Sequence, residues 1–157
     1  MNCQKTVRGS TAIEFAMVLP VFALLLFGII DFGRYFFVQH TIQFATREGT
    51  RLALVGGTLS DNAGNPLDRT ASIIQKIQDK ASVAVNPAAV SISIFPIAAG
   101  YSDPTGWQGQ QNAGGPGDYM RVRTTYTYVF LTPFIGDFFT AGMKTVQAEA
   151  TYRNELF

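Results

Sequence analysis

The sequence predicts an α+β fold, in which a long N-terminal helix packs by its distal half on a small head. Three patterns lead to this prediction. No charge occurs between Glu14 and Asp31, apolar residues then recur at helical spacing, and three later segments alternate as strands do. The head would hold a second helix and a roughly three-stranded antiparallel sheet. The predicted division is a leader at 1–9, a helix at 10–55 and a head at 56–157.

The apolar run has the length of a membrane span. Ala12 to Ile30 is nineteen residues, about 28 Å of helix at roughly 1.5 Å per residue. A hydrocarbon core is about 30 Å thick, and a helix satisfies every backbone group within it. Pro20 lacks an amide hydrogen, so a kink or local unwinding is expected there. We therefore predict a single transmembrane helix.

The residues before this run set its orientation. Lys5 and Arg8 place positive charge on the short side, which holds that side in the cytoplasm. The head, residues 56–157, would then lie outside the cytoplasm. A cleaved secretory signal is the rival interpretation, but no small-x-small cleavage site follows the run, which favours a retained anchor.

Beyond the run the helical pattern becomes amphipathic and continues to Val55. The stripe consists of Tyr35, Val38, Ile42, Ala45, Gly49 and Leu52, spaced 3, 4, 3, 4, 3. Gly56-Gly57 is a stop signal. The sequence thus predicts one helix from about Thr11 to Val55, which extends well past the membrane.

The head shows a second helical pattern and then three strand patterns. Pro66 suits a first helical turn, and the second helix would end before Asn86. The remaining predicted segments are a strand around 90–95, an exposed loop at 97–117, a strand at 118–131, a short apolar connector at 132–139 and a strand around 146–152. The second strand would present Met120, Val122, Thr124, Tyr126, Tyr128 and Phe130 on one face.

Composition excludes several classes of function. Twelve basic and eleven acidic residues give a net charge of +1, so no nucleic-acid footprint is present. One cysteine, Cys3, rules out an internal disulfide, and one histidine, His40, leaves no metal site built on several such residues. No nucleophile has the partners of a catalytic triad. We expect a chain that is not an enzyme and has no cofactor.

Glu14 is a carboxylate at the start of the apolar run. One interpretation is an interfacial charge of little consequence. The other is functional, because a charge deep in hydrocarbon costs about 2.5–3.5 kcal/mol on insertion scales. A cut after Gly9 would create a new amine on Ser10, and Glu14 would be the fifth residue of the product. That amine is a natural partner for a carboxylate in low dielectric.

These residues resemble a known family. The segment Gly9-Ser10-Thr11-Ala12-Ile13-Glu14-Phe15 is similar to the processing site of Tad (tight adherence) pilins and pseudopilins. Further elements resemble TadE-like pilus assembly proteins: Glu14-Phe15-Ala16, Leu19-Pro20, Gly28 with Asp31-Phe32-Gly33, and Ala45-Thr46-Arg47-Glu48-Gly49-Thr50-Arg51. The resemblance covers roughly residues 8–55. It implies cleavage after Gly9 by a prepilin peptidase and pilin-type recognition and register at Glu14 and Phe15.

The resemblance also implies a function and partners. The chain would be a minor pseudopilin of the bacterial inner membrane that acts in assembly or initiation of Flp-type (type IVc) pili with other pilins. Both entry into the fibre and residence at its base are compatible with this. Arg47, Glu48 and Arg51 are candidates for a subunit contact or simply a solvated helix face. The alternative function is a signal-anchored extracytoplasmic binding module with no pilus role.

Overall fold

The computed structural model describes residues 8–98 and 100–156, with side chains of the first helix from Thr11 onward. The elements are α1 (Arg8–Leu54), α2 (Arg69–Ala81), β1 (Ser91–Pro96), β2 (Tyr119–Val129), α3 (Pro133–Gly136) and β3 (Met143–Arg153). The strands form one antiparallel sheet in the order β1-β2-β3. The predicted α+β fold is therefore confirmed. Most of the predicted leader, residues 1–7, lies outside the described residues.

Helix α1 has 47 residues and is thus about 70 Å long at roughly 1.5 Å per residue. It passes through Pro20 without interruption, so the local unwinding expected there is absent. The missing amide hydrogen removes one backbone hydrogen bond, and the turns on either side keep the helix continuous.

The distal half of α1 packs on the head as predicted. Its buried stripe runs through Val38, Ile42, Ala45, Gly49 and Ala53. These positions are three or four residues apart and therefore share one face of the helix. The stripe ends on Ala53 rather than on the predicted Leu52, which is only partly buried.

Helix α2 begins later than predicted. Asp68 is its N-cap, and the Asp68 carboxylate accepts a hydrogen bond of 2.6 Å from the Ala71 amide. Such a cap satisfies an amide that has no partner inside the helix. The prediction that Pro66 opens this helix is wrong, because Pro66 bridges to Ser60 in the preceding turn. Ile73 and Ile77 are fully buried.

The sheet turns one apolar face toward the two helices. Its buried residues are Ile92 and Ile94 from β1, Met120, Val122, Thr124 and Tyr128 from β2, and Val146, Ala148 and Tyr152 from β3. These positions alternate along each strand, as period-two geometry requires. The core therefore lies between the sheet, α2 and the distal half of α1.

Most described residues of the loop at 97–117 are exposed, as predicted, but the loop is also hydrogen-bonded to the sheet. The Ile94 amide donates to the Gln110 carbonyl at 2.7 Å, and the Asn112 amide donates to the Ile94 carbonyl at 2.9 Å. The loop thus pairs with the outer edge of β1. This pairing satisfies edge groups that a strand would otherwise leave open.

Candidate functional site

The first half of α1 projects away from the head. Among the described residues, α1 is the one helix that is long and apolar enough to cross a membrane, and no residue of its most apolar stretch is buried. Large side chains such as Phe22, Leu25 and Ile29 have no packing partner in the head that would bury them. Exposure of such residues on all sides of a helix is the arrangement expected for contact with lipid.

The predicted processing and register residues lie at the start of this helix. Gly9 and Ser10 belong to the backbone of α1, and their side chains lie outside the described part of the chain. Glu14 and Phe15 are exposed. The roles assigned to these residues stay predictions.

Asp31, at the end of the apolar run, joins the helix to the head. Its side chain is only 1% exposed. Its two carboxylate oxygens accept hydrogen bonds from the Leu131 amide at 3.0 Å and the Thr132 amide at 2.8 Å. The Tyr128 hydroxyl lies 3.3 Å from the same carboxylate. Asp31 therefore satisfies two amides at the start of α3, where Thr132 provides no side-chain cap of its own.

Sequence reasoning assigned no site role to Asp31. Its partners are about one hundred residues away along the chain, and no local pattern announces such a pair. The sequence feature that could have indicated a role for Asp31 is its position as a lone carboxylate directly after an apolar run. A charge at that place needs a partner.

Aromatic rings surround this junction. Tyr35 meets Tyr128 edge-on at 5.5 Å between ring centres, and Phe130 stacks on Phe139 at 4.3 Å. Phe130 also lies 6.0 Å from Phe32. Burial raises the pKa of Tyr128 above its ordinary value, and the neighbouring Asp31 charge adds to this effect. The Tyr128 hydroxyl consequently stays protonated as a hydrogen-bond donor.

A second close contact joins α1 to α2 at Gly49. A Cβ atom at this position would overlap the Ile77 side chain and would lie 3.3 Å from the Ile73 carbonyl oxygen. Only glycine lets the two helices approach this closely. The glycine of the Arg47-Glu48-Gly49-Thr50-Arg51 element is thus a helix-packing residue.

The charged residues of that element are not buried in the contact between α1 and α2 as Gly49 is. Arg47 and Arg51 are exposed, and Glu48 is half-buried. The Arg51 guanidinium lies 3.9 Å from the Glu48 carboxylate, a separation at which an exposed pair contributes little. Both predicted roles, a subunit contact and a solvated face, are compatible with this arrangement.

The end of α1 is fastened to the head by Arg69. Its guanidinium donates to the Ala53 carbonyl at 2.6 Å, to the Gly114 carbonyl at 3.0 Å and to Asn154 Oδ1 at 2.6 Å. The Glu155 amide donates to the Leu54 carbonyl at 3.1 Å. These groups satisfy carbonyls that a helix terminus leaves open.

On the outer face of the sheet, Arg123 organises the 97–117 loop. It donates to Glu149 at 2.6 Å and to Asp103 at 2.8 Å, and its Cζ lies 4.3 Å from the Trp107 ring centre. Desolvation alone would raise the pKa of Asp103, but hydrogen bonds from Arg123 and Arg121 outweigh it and lower that pKa. This cluster holds the loop against the strand and explains why Phe95 is buried on that side.

The described residues contain no group of three or more His, Cys, Asp or Glu side chains that could hold a metal ion. The expectations of no cofactor and no enzymatic activity stay predictions. What the arrangement offers is two surfaces: an exposed apolar helix and a head fixed to the end of it.

Residues 9–51 match the family model described as TadE-like protein. The N-terminal segment is TadE-like. Comparisons with curated proteins and with solved structures find no match. The resemblance predicted from the sequence is therefore confirmed for this segment.

The TadE-like segment coincides with almost all of α1. It includes the exposed apolar half, the buried Asp31 and the helix-packing Gly49, and it ends three residues before Leu54. The matched residues thus do two things in this fold. They provide the apolar helix, and they provide the contacts by which the head is attached to it.

Proposed function

We propose that this chain is a TadE-like minor pseudopilin that acts in assembly or initiation of Tad (Flp-type, type IVc) pili. It is a single-pass protein of the bacterial inner membrane, with its N-terminus in the cytoplasm and its head in the periplasm. A prepilin peptidase cuts it between Gly9 and Ser10. The observation that carries the proposal is the overlap of the TadE-like match with the helix that projects from the head.

The surface of α1 beyond the apolar run supports a role in a helix assembly. Phe36, Phe37 and Phe44 are each about half exposed on the part of the helix that accompanies the head. Phe37 and Phe44 are seven residues apart and therefore lie on one face. Exposed aromatic side chains in a row favour a partner surface over solvent. Neighbouring pilin helices are the partners that fit this stripe.

Glu14 sets the register of the helix in this proposal. After cleavage, the Ser10 amine and the Glu14 carboxylate lie at the same end of the helix. A carboxylate paired with the amine of a neighbouring subunit fixes one axial offset between two helices, because an unpaired charge in low dielectric is strongly unfavourable. The apolar helix first stores the subunit in the bilayer and then packs among other pilin helices.

The proposed orientation has a direct test. Lys5 and Arg8 precede the span, and positive charge favours the cytoplasmic side. A periplasm-active reporter fused after Phe157 should be active. Activity of a cytoplasmic reporter alone at that position would contradict the orientation.

N-terminal sequencing of the mature protein tests processing. Ser10 is expected as the first residue in cells that carry the matching peptidase, and Gly9→Leu should leave the precursor uncut. Gly33→Leu is the matched control, because that helical glycine has open space around it, and it should be processed normally. Met1 as the first residue of the wild type would instead favour the anchored binding module.

A piliation assay tests the role of Glu14. In a strain without the native protein, Glu14→Gln should be inserted and processed but fail to support pili, since the amine loses its partner. The loss of a partner in a buried pair costs about 3–5 kcal/mol. Glu155→Gln, at an exposed carboxylate of the head, is the control. Normal pili from a fully processed Glu14→Gln protein would overturn the pairing mechanism.

A further inference from the structure

We infer that the segment between β2 and β3, residues 130–142, is a second membrane attachment that dips into the leaflet beside α1. It would place Leu131, Phe134 and Phe138 among the acyl chains at the boundary with the lipid headgroups. The inference rests on one part of the proposed function, the membrane span of α1, and is independent of any pilus role.

The depth of the segment follows from its contacts with α1. Ile135 Cδ1 lies 3.8 Å from the position that a Cβ atom on Gly28 would occupy. Gly28 belongs to the last turn of the apolar run, before Asp31. Asp31 in turn binds the amides of Leu131 and Thr132. The segment is therefore held at the level where the membrane-spanning run ends.

The composition of the segment matches this place. It contains thirteen residues with a single charge, Asp137. Leu131 is 62% exposed, Phe134 51% and Phe138 72%. Aromatic and aliphatic side chains presented next to the end of a membrane helix suit the interface between headgroups and acyl chains.

The apolar surface of the segment is continuous with that of α1. Phe27 and Ile30 of the helix line a groove together with Leu131 and Pro133 of the segment. Lipid that covers Phe27 and Ile30 must also reach Leu131 and Pro133, because the four residues line one groove at one depth. This continuity selects the bilayer as the occupant, ahead of a second copy of the chain or another protein.

The rigidity of the segment supports a fixed depth. Asp31 satisfies amides at its start, and Phe130 is clamped between the rings of Tyr35 and Phe139. The Phe130 amide also donates to the Gly142 carbonyl at 3.1 Å, which closes the segment into a loop. The exposed side chains are thus presented from a preformed turn.

The test measures the depth of single side chains in the full-length protein. In a Cys3→Ser background, nitroxide labels are attached to Phe138→Cys, Phe134→Cys and Val83→Cys, and the protein is placed in lipid nanodiscs at one copy per disc. Val83, two residues beyond the C-terminus of α2, is 72% exposed like Phe138 and is the matched control. Val21→Cys, within the apolar run, reports the membrane interior.

We expect the ratio of accessibility to oxygen over a water-soluble nickel complex to be roughly tenfold higher at positions 134 and 138 than at position 83, because apolar oxygen partitions into acyl chains. Equal, water-like ratios at 134, 138 and 83 would overturn the inference. Exclusion of both reagents at 134 and 138 would do so too, since it would mean coverage by protein. Failure of processing or piliation would leave this measurement unaffected.

Discussion

The two halves of α1 are one continuous helix in two different environments. In the proximal half, from Thr11 to Ile30, no side chain is fully buried by the rest of the chain. In the distal half, Ile42 and Ala45 are completely buried and Phe37 and Phe44 are exposed. The comparison teaches that helix formation and helix burial are separate properties. One continuous helix thus provides both an exposed apolar segment and one side of the packed core.

The boundary between the halves is Asp31. Before it, apolar residues occur on every face of the helix; after it, they form a stripe. Its carboxylate holds the start of α3 against the helix. Substitutions along α1 should therefore affect the head very differently on the two sides of Asp31.

The largest effect is expected at the Gly49 contact. Gly49→Ala should lower the free energy of unfolding of the head by about 3 kcal/mol, because the added carbon overlaps Ile77 and overpacking strains both helices. Gly33→Ala is the matched control in open space and should be neutral or stabilise by up to about 1 kcal/mol. Urea unfolding in detergent, followed by Trp107 fluorescence, measures both.

A double substitution sharpens this prediction. Ile77→Ala alone should cost about 2–5 kcal/mol. Combined with Gly49→Ala it should cost less than the sum, because the new side chain fills part of the space left by Ile77. Strict additivity of the two effects would contradict the proposed overlap.

The next effect is at the boundary. Asp31→Ala should lower the free energy of unfolding by about 1–3 kcal/mol, since the amides of Leu131 and Thr132 lose their acceptor. Asp31→Asn keeps one accepting oxygen and should fall between the wild type and Asp31→Ala. Asp79→Ala, at an exposed carboxylate, is the control. If the unfolding curves of Asp31→Ala and Asp79→Ala coincide, the hydrogen bonds of the Asp31 carboxylate contribute nothing to stability.

A smaller effect concerns the core that faces the distal half. Burial raises the pKa of Tyr152 to about 12, partly opposed by the Arg69 charge. Because the pKa of Tyr152 in the folded state lies above the ordinary value of 10, the protonated side chain contributes to the free energy of unfolding. This contribution is fully present below pH 10 and is lost as the pH rises toward 12. Among the described residues the Tyr152 hydroxyl has no hydrogen-bond partner.

Tyr152→Phe should therefore change the free energy of unfolding by less than about 1 kcal/mol at pH 7 and should resist unfolding better than the wild type between pH 10 and 12. Tyr119→Phe, at an exposed tyrosine, controls for the loss of any one phenol. If the free energies of unfolding of the wild type and Tyr152→Phe change in parallel with pH, the raised pKa of Tyr152 is refuted.

The smallest effect is expected in the proximal half. Leu25→Ala should leave the unfolding of the head unchanged within about 0.5 kcal/mol, as is usual for a side chain outside the core. Ile42→Ala, on the same helix but fully buried, should cost about 2–5 kcal/mol. Comparable losses from the two substitutions would remove the distinction between the halves.

The sequence by itself determined the elements that depend on neighbouring residues. Apolar positions three or four apart predicted the stripe through Val38, Ile42, Ala45 and Gly49, and alternation predicted the core face of β2 through Met120 and Val122. The apolar run predicted the exposed half of α1. These patterns are periodic because each element has a fixed geometry, so they can be recognised without knowledge of the partner.

Only the tertiary structure decided the contacts between distant segments. Asp31 finds its amides at Leu131 and Thr132, Gly49 meets Ile77, and Arg123 holds Trp107 and the 97–117 loop against β1. The predicted helical start at Pro66 was wrong, because Pro66 instead bridges to Ser60. Such contacts depend on which segments the chain brings together when it folds, and local periodicity carries no information about them.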